Sequence, residues 1–146
     1  MSGILPVMKF QQTPGMSSLL KQEVSTEISR AVGTLLGGEG GKSRLVRMGQ
    51  LVGKIVGTDQ APAGAKKGKL VAWNPAATDG SQIVHGVCLK DCEAAADADR
   101  VDGLLYSRRF SVLARASIVW PEGITADQQS AAIDDMADRL GLVLRT

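Results

Sequence analysis

The chain has 146 residues, a formal net charge of +2, and a composition that is 44% apolar but only 3% aromatic. That length supplies one modest domain and too little for two. Interspersed acids and bases with few stacking rings argue against a dedicated nucleic-acid binder, and no apolar run approaches the roughly 20 residues of a membrane-spanning helix. Core packing has to rest on Val, Leu, Ile and Ala, each burying less area than an aromatic ring, so association with partners is an expected source of stability. The start, Met1-Ser2-Gly3-Ile4-Leu5-Pro6, lacks the basic region and long apolar stretch of a signal peptide. The expectation is a soluble protein made in the cytoplasm, with Cys88 and Cys92 as reduced thiols.

In chain order, Met1 to Ile28 differs from the rest of the chain. Pro6, Pro14 and Gly15 interrupt regular structure, and Gln11-Gln12-Thr13 is polar and aperiodic. Leu20, Val24 and Ile28 recur every four residues, as on one face of a short helix, but no strong cap precedes them. Residues 1–28 are read as an arm that is loose in the free protein and ordered by a partner; a helix packed on the domain is the alternative. Residues 29–146 are read as a β-rich domain. Val32–Leu36, Arg44–Met48 and Leu51–Val56 are short β-like runs separated by glycines. A linker from Ala61 to Gly68 leads to Lys69–Trp73, and the turn from Asn74 to Gly80 leads to Ile83–Leu89. Ala94–Asp99 reads as a small acidic loop, and Arg109–Trp120 as one long strand or two with a bulge. Thr125 and Gln128 form a capping-box pattern. Ile133, Met136, Ala137 and Leu140 come next at helical spacing, with Gly141 as the stop. Leu142-Val143-Leu144 closes the chain as a strand. About seven strands and one helix result: a mainly β fold with a small helical component.

Four motifs invite chemistry. Gly37-Gly38-Glu39-Gly40-Gly41-Lys42-Ser43 ends like a phosphate-binding loop, but Leu36 stands where that loop needs its first glycine, and no helix pattern succeeds it. A flexible connection between strands is the better reading. His85, Cys88 and Cys92 lie close in sequence. On a regular strand His85 and Cys88 face opposite ways, and the Cys spacing is not a zinc knuckle, so two buried thiols and a strand histidine are expected. With a single histidine in the chain, a catalytic triad would have to use it, and nothing else points to one. Asp97 to Gly103 resembles a calcium loop only in outline, with Arg108 where a glutamate is needed; it reads as a solvated loop. Arg108, Arg109 and Arg115 read as scattered surface charge. No catalytic residue, cofactor, metal or small-molecule substrate is expected.

Several segments together resemble the phage head-decoration family, typified by the decoration protein of lambdoid capsids. They are Lys69–Trp73, the turn with Asp79-Gly80, Val84-His85-Gly86-Val87, and Ile118-Val119-Trp120-Pro121-Glu122 with a helix and an apolar terminal strand after it. Upstream, Ser29–Gly33 and Met48–Ile55 resemble the early strands of longer members. The resemblance covers about Ser25 to Thr146. It implies a β-clip-like decoration fold with a flexible N-terminal arm and no catalysis. It also implies a homotrimer on the outer surface of an expanded capsid, partnered with the major capsid protein and without nucleic acid or membrane. On that basis Leu20, Lys21, Gln22, Glu23, Val24, Ser25 and Ile28 are candidate capsid contacts. Trp120, Pro121 and Glu122 are candidates for the trimer interface, with ordinary core packing as the equal alternative for Trp120. The rival readings are a tail or fibre component, a small nucleotide-binding protein using Gly41-Lys42-Ser43, and a β-barrel binding nucleic acid through Arg44, Arg47 and Arg115.

Overall fold

Five strands close on themselves, and a second, smaller sheet is laid against their outside. The computed structural model describes residues 15–146. The barrel runs in the order β2 (Arg30–Leu35), β5 (Leu70–Ala72), β4 (Leu51–Lys54), β6 (Val84–Cys88) and β8 (Arg100–Ser107). Closure leaves these strands with no exposed edge. The outer sheet holds β1 (Leu20–Glu23), β9 (Ser111–Ala114) and β10 (Leu142–Arg145), with β9 in the middle. A two-stranded ribbon joins β3 (Arg44–Val46) to β7 (Cys92–Ala94).

Alternation along the barrel strands sorts the apolar residues into two cores. Leu35, Leu70, Val52, Cys88, Leu104 and Tyr106 draw at least one side chain from every barrel strand, so this cluster fills the barrel; Val46, Cys92 and Ala94 of the ribbon join it. The neighbours Leu51 and Val87 face the other way. They pack with Leu19, Leu113, Ile118, Met136, Leu140 and Leu142 between barrel, outer sheet and helix.

The helix forms as its capping box requires. Thr125 Oγ1 accepts from the Gln128 N–H at 3.1 Å, and the Gln128 side chain accepts from the Thr125 N–H at 3.0 Å. This helix, α3, covers Ala126–Asp135 and continues as a π-turn over Met136–Leu140, ending at Gly141 with φ 67°. The wider turn shifts the buried stripe to Ala132, Met136 and Leu140, so Ala137, expected on the core face, is exposed.

The mainly β fold with few short helices is as expected, but three boundaries differ. Arg100–Gly103 is not a solvated loop but the start of the longest strand. Opposite Thr34, β8 carries extra residues between Arg100 and Leu104, and Asp102 takes a φ of 49° and donates its N–H to Thr34 Oγ1. The Asp-Gly pair thus marks a bulge inside a strand. Arg109–Trp120 is neither one long strand nor two with a bulge. After β9 the chain coils into a 3-10 turn at Arg115–Ser117, where Ser117 Oγ donates to Ser18 O. Leu20, Val24 and Ile28 are not one helix face. Between Met16–Leu19 (α1) and Thr26–Ser29 (α2), each a single turn, the chain is extended as β1. Of the arm assigned to Met1–Ile28, residues 1–14 lie outside the described residues. Residues 15–28 are built into the body, with the Leu19 side chain fully buried.

Candidate docking surface

Strand β1 is joined to the sheet along one side only. It pairs antiparallel with β9, Gln22 opposite Val112 and Glu23 opposite Ser111, with a register slip between Leu20 and Gln22. Its other edge faces no strand among the described residues. The segment is nonetheless held firmly. Arg30 grips the Glu23 carboxylate with two hydrogen bonds, at 2.7 and 3.0 Å. The Val24 N–H donates to Phe110 O at 3.2 Å. Ser25 caps α2 by accepting from the Ile28 N–H, and the buried Ser29 hydroxyl donates to Phe110 O.

These bonds leave apolar side chains outward. Val24 is 68% exposed, with Ile28, Phe110 and Val143 also exposed. A shallow groove of about 200 Å³ runs between Val24, Phe110 and Val143, with Glu23, Val112 and Gly141 among its other lining residues. Phe110 sits at φ 51°, a left-handed conformation uncommon for a bulky residue. Its N–H donates to Leu140 O, and its ring lies over Gly141, where a Cβ would come within 2.7 Å of it. An aromatic ring held outward on strained backbone, in a chain with two phenylalanines, points to a contact surface. Sequence reasoning missed Phe110 and Val143; the available signal was the scarcity of large aromatics.

The structure therefore brings Gln22, Glu23 and Val24 together with Phe110 and Val143, whereas Leu20 packs against the core between barrel and outer sheet, and Lys21, Ser25 and Ile28 lie outside the groove. The Trp120-Pro121-Glu122 corner lies in the connection from β9 to α3. Trp120 is half-buried and meets Trp73 edge-on, ring centroids 6.5 Å apart at 68°. Trp73 donates its indole N–H to Gln82 O at 2.7 Å. Glu122 is exposed.

The other motifs are used in folding. The glycine-rich segment after β2 leads into strand β3, not a helix. It is pinned to the β7–β8 connection: the Gly37 N–H donates to Asp99 Oδ1 at 2.8 Å, and the Gly38 N–H to Ala95 O at 3.0 Å. The other Asp99 oxygen pairs with Lys69, which draws that carboxyl below its usual range. His85 is the extra residue in β6, since Val52 pairs with Gly86 and Gly53 with Val84. The alternation argument fails at this irregularity, and His85 Nε2 meets the Tyr106 hydroxyl at 3.1 Å on the strand register of Cys88. Burial, then the surrounding Lys54, Arg139, Arg108 and Arg109, lower the His85 pKa. Burial pushes the Cys88 thiol up to about 11, and its Sγ donates to Lys90 O. Among the described residues no three His, Cys, Asp or Glu side chains converge as a metal site. The exposed surface offers hydrogen-bonding edge and apolar area.

Compared with protein-family models, residues 9–142 match bacteriophage lambda head decoration protein D. The chain belongs to that family. The match begins at Lys9, well upstream of the segments that carry the resemblance in the sequence, and so includes β1 and its neighbours. No curated protein sequence matches the chain. Membership makes this a structural protein of the phage head, which sets aside the tail and fibre reading.

Proposed function

We propose that the protein binds the outer surface of the expanded head as a homotrimer and stabilises the shell by gripping the major capsid protein. The observation that carries this reading is the one-sided attachment of β1. An unpaired strand edge accepts an extended segment of a partner by main-chain hydrogen bonding, and the apolar groove across the β1–β9–β10 face offers a second contact, for side chains. Leu20, Lys21, Gln22, Glu23, Val24, Ser25 and Ile28 then form the capsid contact, with Phe110 and Val143 completing it. Residues 1–28 act as one capsid-binding element, its described part braced against the body.

The trimer contact is assigned to Trp120, Pro121 and Glu122. A cyclic trimer uses two different patches per subunit, and a half-buried tryptophan beside a proline at a corner suits the anchor of one of them. Three capsid contacts on one trimer raise avidity by on the order of a hundredfold or more when all engage. A ligand that binds only the expanded lattice stabilises that state by mass action.

The test is to mix the protein with empty shells before and after expansion. Binding to expanded shells alone, with a higher shell disassembly temperature and a three-chain mass in solution, is the expected result. Equal binding to both shell forms, or to neither, overturns the proposal.

A further inference from the structure

The barrel order sets β6 between β4 and β8, so His85, the extra residue in β6, has a strand on each side. Lys54 follows Gly53, which pairs with Val84, and flanks His85 from β4. On the other side Ser107 pairs with Val87, so the antiparallel course of β8 carries Arg108 and Arg109 alongside. Arg139, from the π-turn after α3, donates to Val84 O. The fold thus gathers Arg108 and Arg109, scattered charge in the sequence, with two cations from distant elements. All four are exposed, and all four oppose the charging of His85. Asp135 borders the group, but both its carboxylate oxygens are taken by Arg139. Among the described residues Lys54, Arg108 and Arg109 meet no carboxylate, and residues 1–14 hold no Asp or Glu to supply one. On a chain of net charge +2 this is a concentrated positive face.

We infer that this face takes an acidic segment of the shell protein, next to the contact at β1. The inference rests on the shell-binding reading above and names the chemistry of that partner. Continuity selects the occupant. Arg108 donates its Nε–H to Ile28 O at 3.2 Å and its backbone N–H to Ser29 O at 2.8 Å, so the basic face begins where the α2 end of the capsid contact stops. Arg109 leads directly into Phe110. Ile28 and Ile83, 47% and 52% exposed, adjoin the cations in the chain and in space, so the segment carries apolar residues among its acids. Guanidinium groups bind carboxylates with paired hydrogen bonds, and the field of the face draws an acidic segment in before contact.

The test compares two double variants of the full chain with equal change in net charge. Lys54→Glu/Arg109→Glu reverses the face. Lys42→Glu/Lys67→Glu reverses two exposed lysines on the glycine-rich segment and the Ala61–Gly68 connection. Affinity for empty expanded shells is read by co-sedimentation at about 50 and about 300 mM salt, which bracket the roughly 10 Å screening length of 0.1 M salt. The unaltered chain is expected to bind about tenfold more weakly at the higher salt. The face variant is expected to bind about tenfold more weakly at low salt, to lose most of its salt response and to keep its melting temperature. The loop variant is expected to match the unaltered chain. If the face variant does not fold, Lys54→Gln/Arg109→Gln supplies the comparison, with a fall of about threefold expected. Salt-indifferent binding by the unaltered chain, undiminished binding by the face variant, or equal weakening of both variants overturns the inference and leaves the β1 contact standing. Loss of the three-chain mass in the face variant places a second copy on the face and overturns it too. Absence of shell binding by the unaltered chain overturns both readings.

Discussion

The ring of Phe110 rests on Gly141, the residue that ends the π-turn after α3, so closely that a Cβ at Gly141 would approach it to 2.7 Å. Both residues hold positive φ, 51° and 67°. The end of the C-terminal helix thus sets the position of the aromatic beside the end of β1, on the side that pairs with β9.

Phe110→Asn separates display from stability. Asparagine tolerates the left-handed conformation better than phenylalanine, so the fold loses an exposed ring and sheds backbone strain. The melting temperature is expected to stay within about 3 °C, since surface changes of this kind fall within ±0.5 kcal/mol. Affinity for expanded shells is expected to fall tenfold or more, as for loss of an interface anchor. Calorimetry and co-sedimentation check the two halves.

Gly38→Ala addresses the loop that resembles a phosphate-binding motif. A Cβ there would lie 1.8 Å from the Lys42 carbonyl oxygen, so backbone has to move. A loss on the order of 2–4 kcal/mol is expected in denaturant unfolding, while Gly40→Ala, with open space around its Cβ, is limited to the cost of its positive φ of 64°. The glycines serve packing against the β7–β8 connection, and equal behaviour of the two variants would contradict that.

Acidification should weaken the fold through His85. Its folded pKa lies below the ordinary value near 6.5, because burial and the cations Lys54, Arg139, Arg108 and Arg109 oppose its charging. The unfolded chain therefore binds the proton first. Stability is constant above about pH 7 and falls as pH drops below 6.5 toward the folded pKa. Loss through Asp79, whose carboxyl is held low by hydrogen bonds from Ser81, begins only in the carboxylate range. His85→Gln should flatten the pH 5–6.5 segment of the urea-midpoint profile and leave the acid limb.

Trp120→Ala tests the trimer assignment. Loss of the edge-on contact with Trp73 costs the body about 0.5–1.5 kcal/mol. Sedimentation equilibrium is expected to show a single-chain mass with the β-rich circular dichroism retained. A folded trimer would place the interface elsewhere.

Much of the fold was legible in the residues, and the failures have physical causes. The capping box at Thr125 and Gln128 and the stop at Gly141 are local signals whose hydrogen bonds form within four residues, so they read correctly. Asp102-Gly103 misled because the same chemistry that makes a turn also makes a bulge, and only the partner strand β2 distinguishes them. The stripe Leu20, Val24, Ile28 misled because Leu19, the residue that is fully buried, is out of phase with it. Pairing with β9, more than eighty residues away, decides that segment. Of the docking surface, Val24 and Ile28 were visible as apolar residues in a polar stretch. Phe110 was not, since its exposure depends on Gly141 beneath it.

Because Leu19 is fully buried and β1 completes the outer sheet, deleting residues 1–28 would damage the fold as well as the contact. Substitution of exposed side chains avoids this. The decisive measurement is the affinity of Val24→Asp/Ile28→Asp for empty expanded shells, taken alongside its melting temperature. A folded protein of unchanged stability that binds at least tenfold more weakly is the predicted result. Undiminished binding by that protein would contradict docking through the edge of β1.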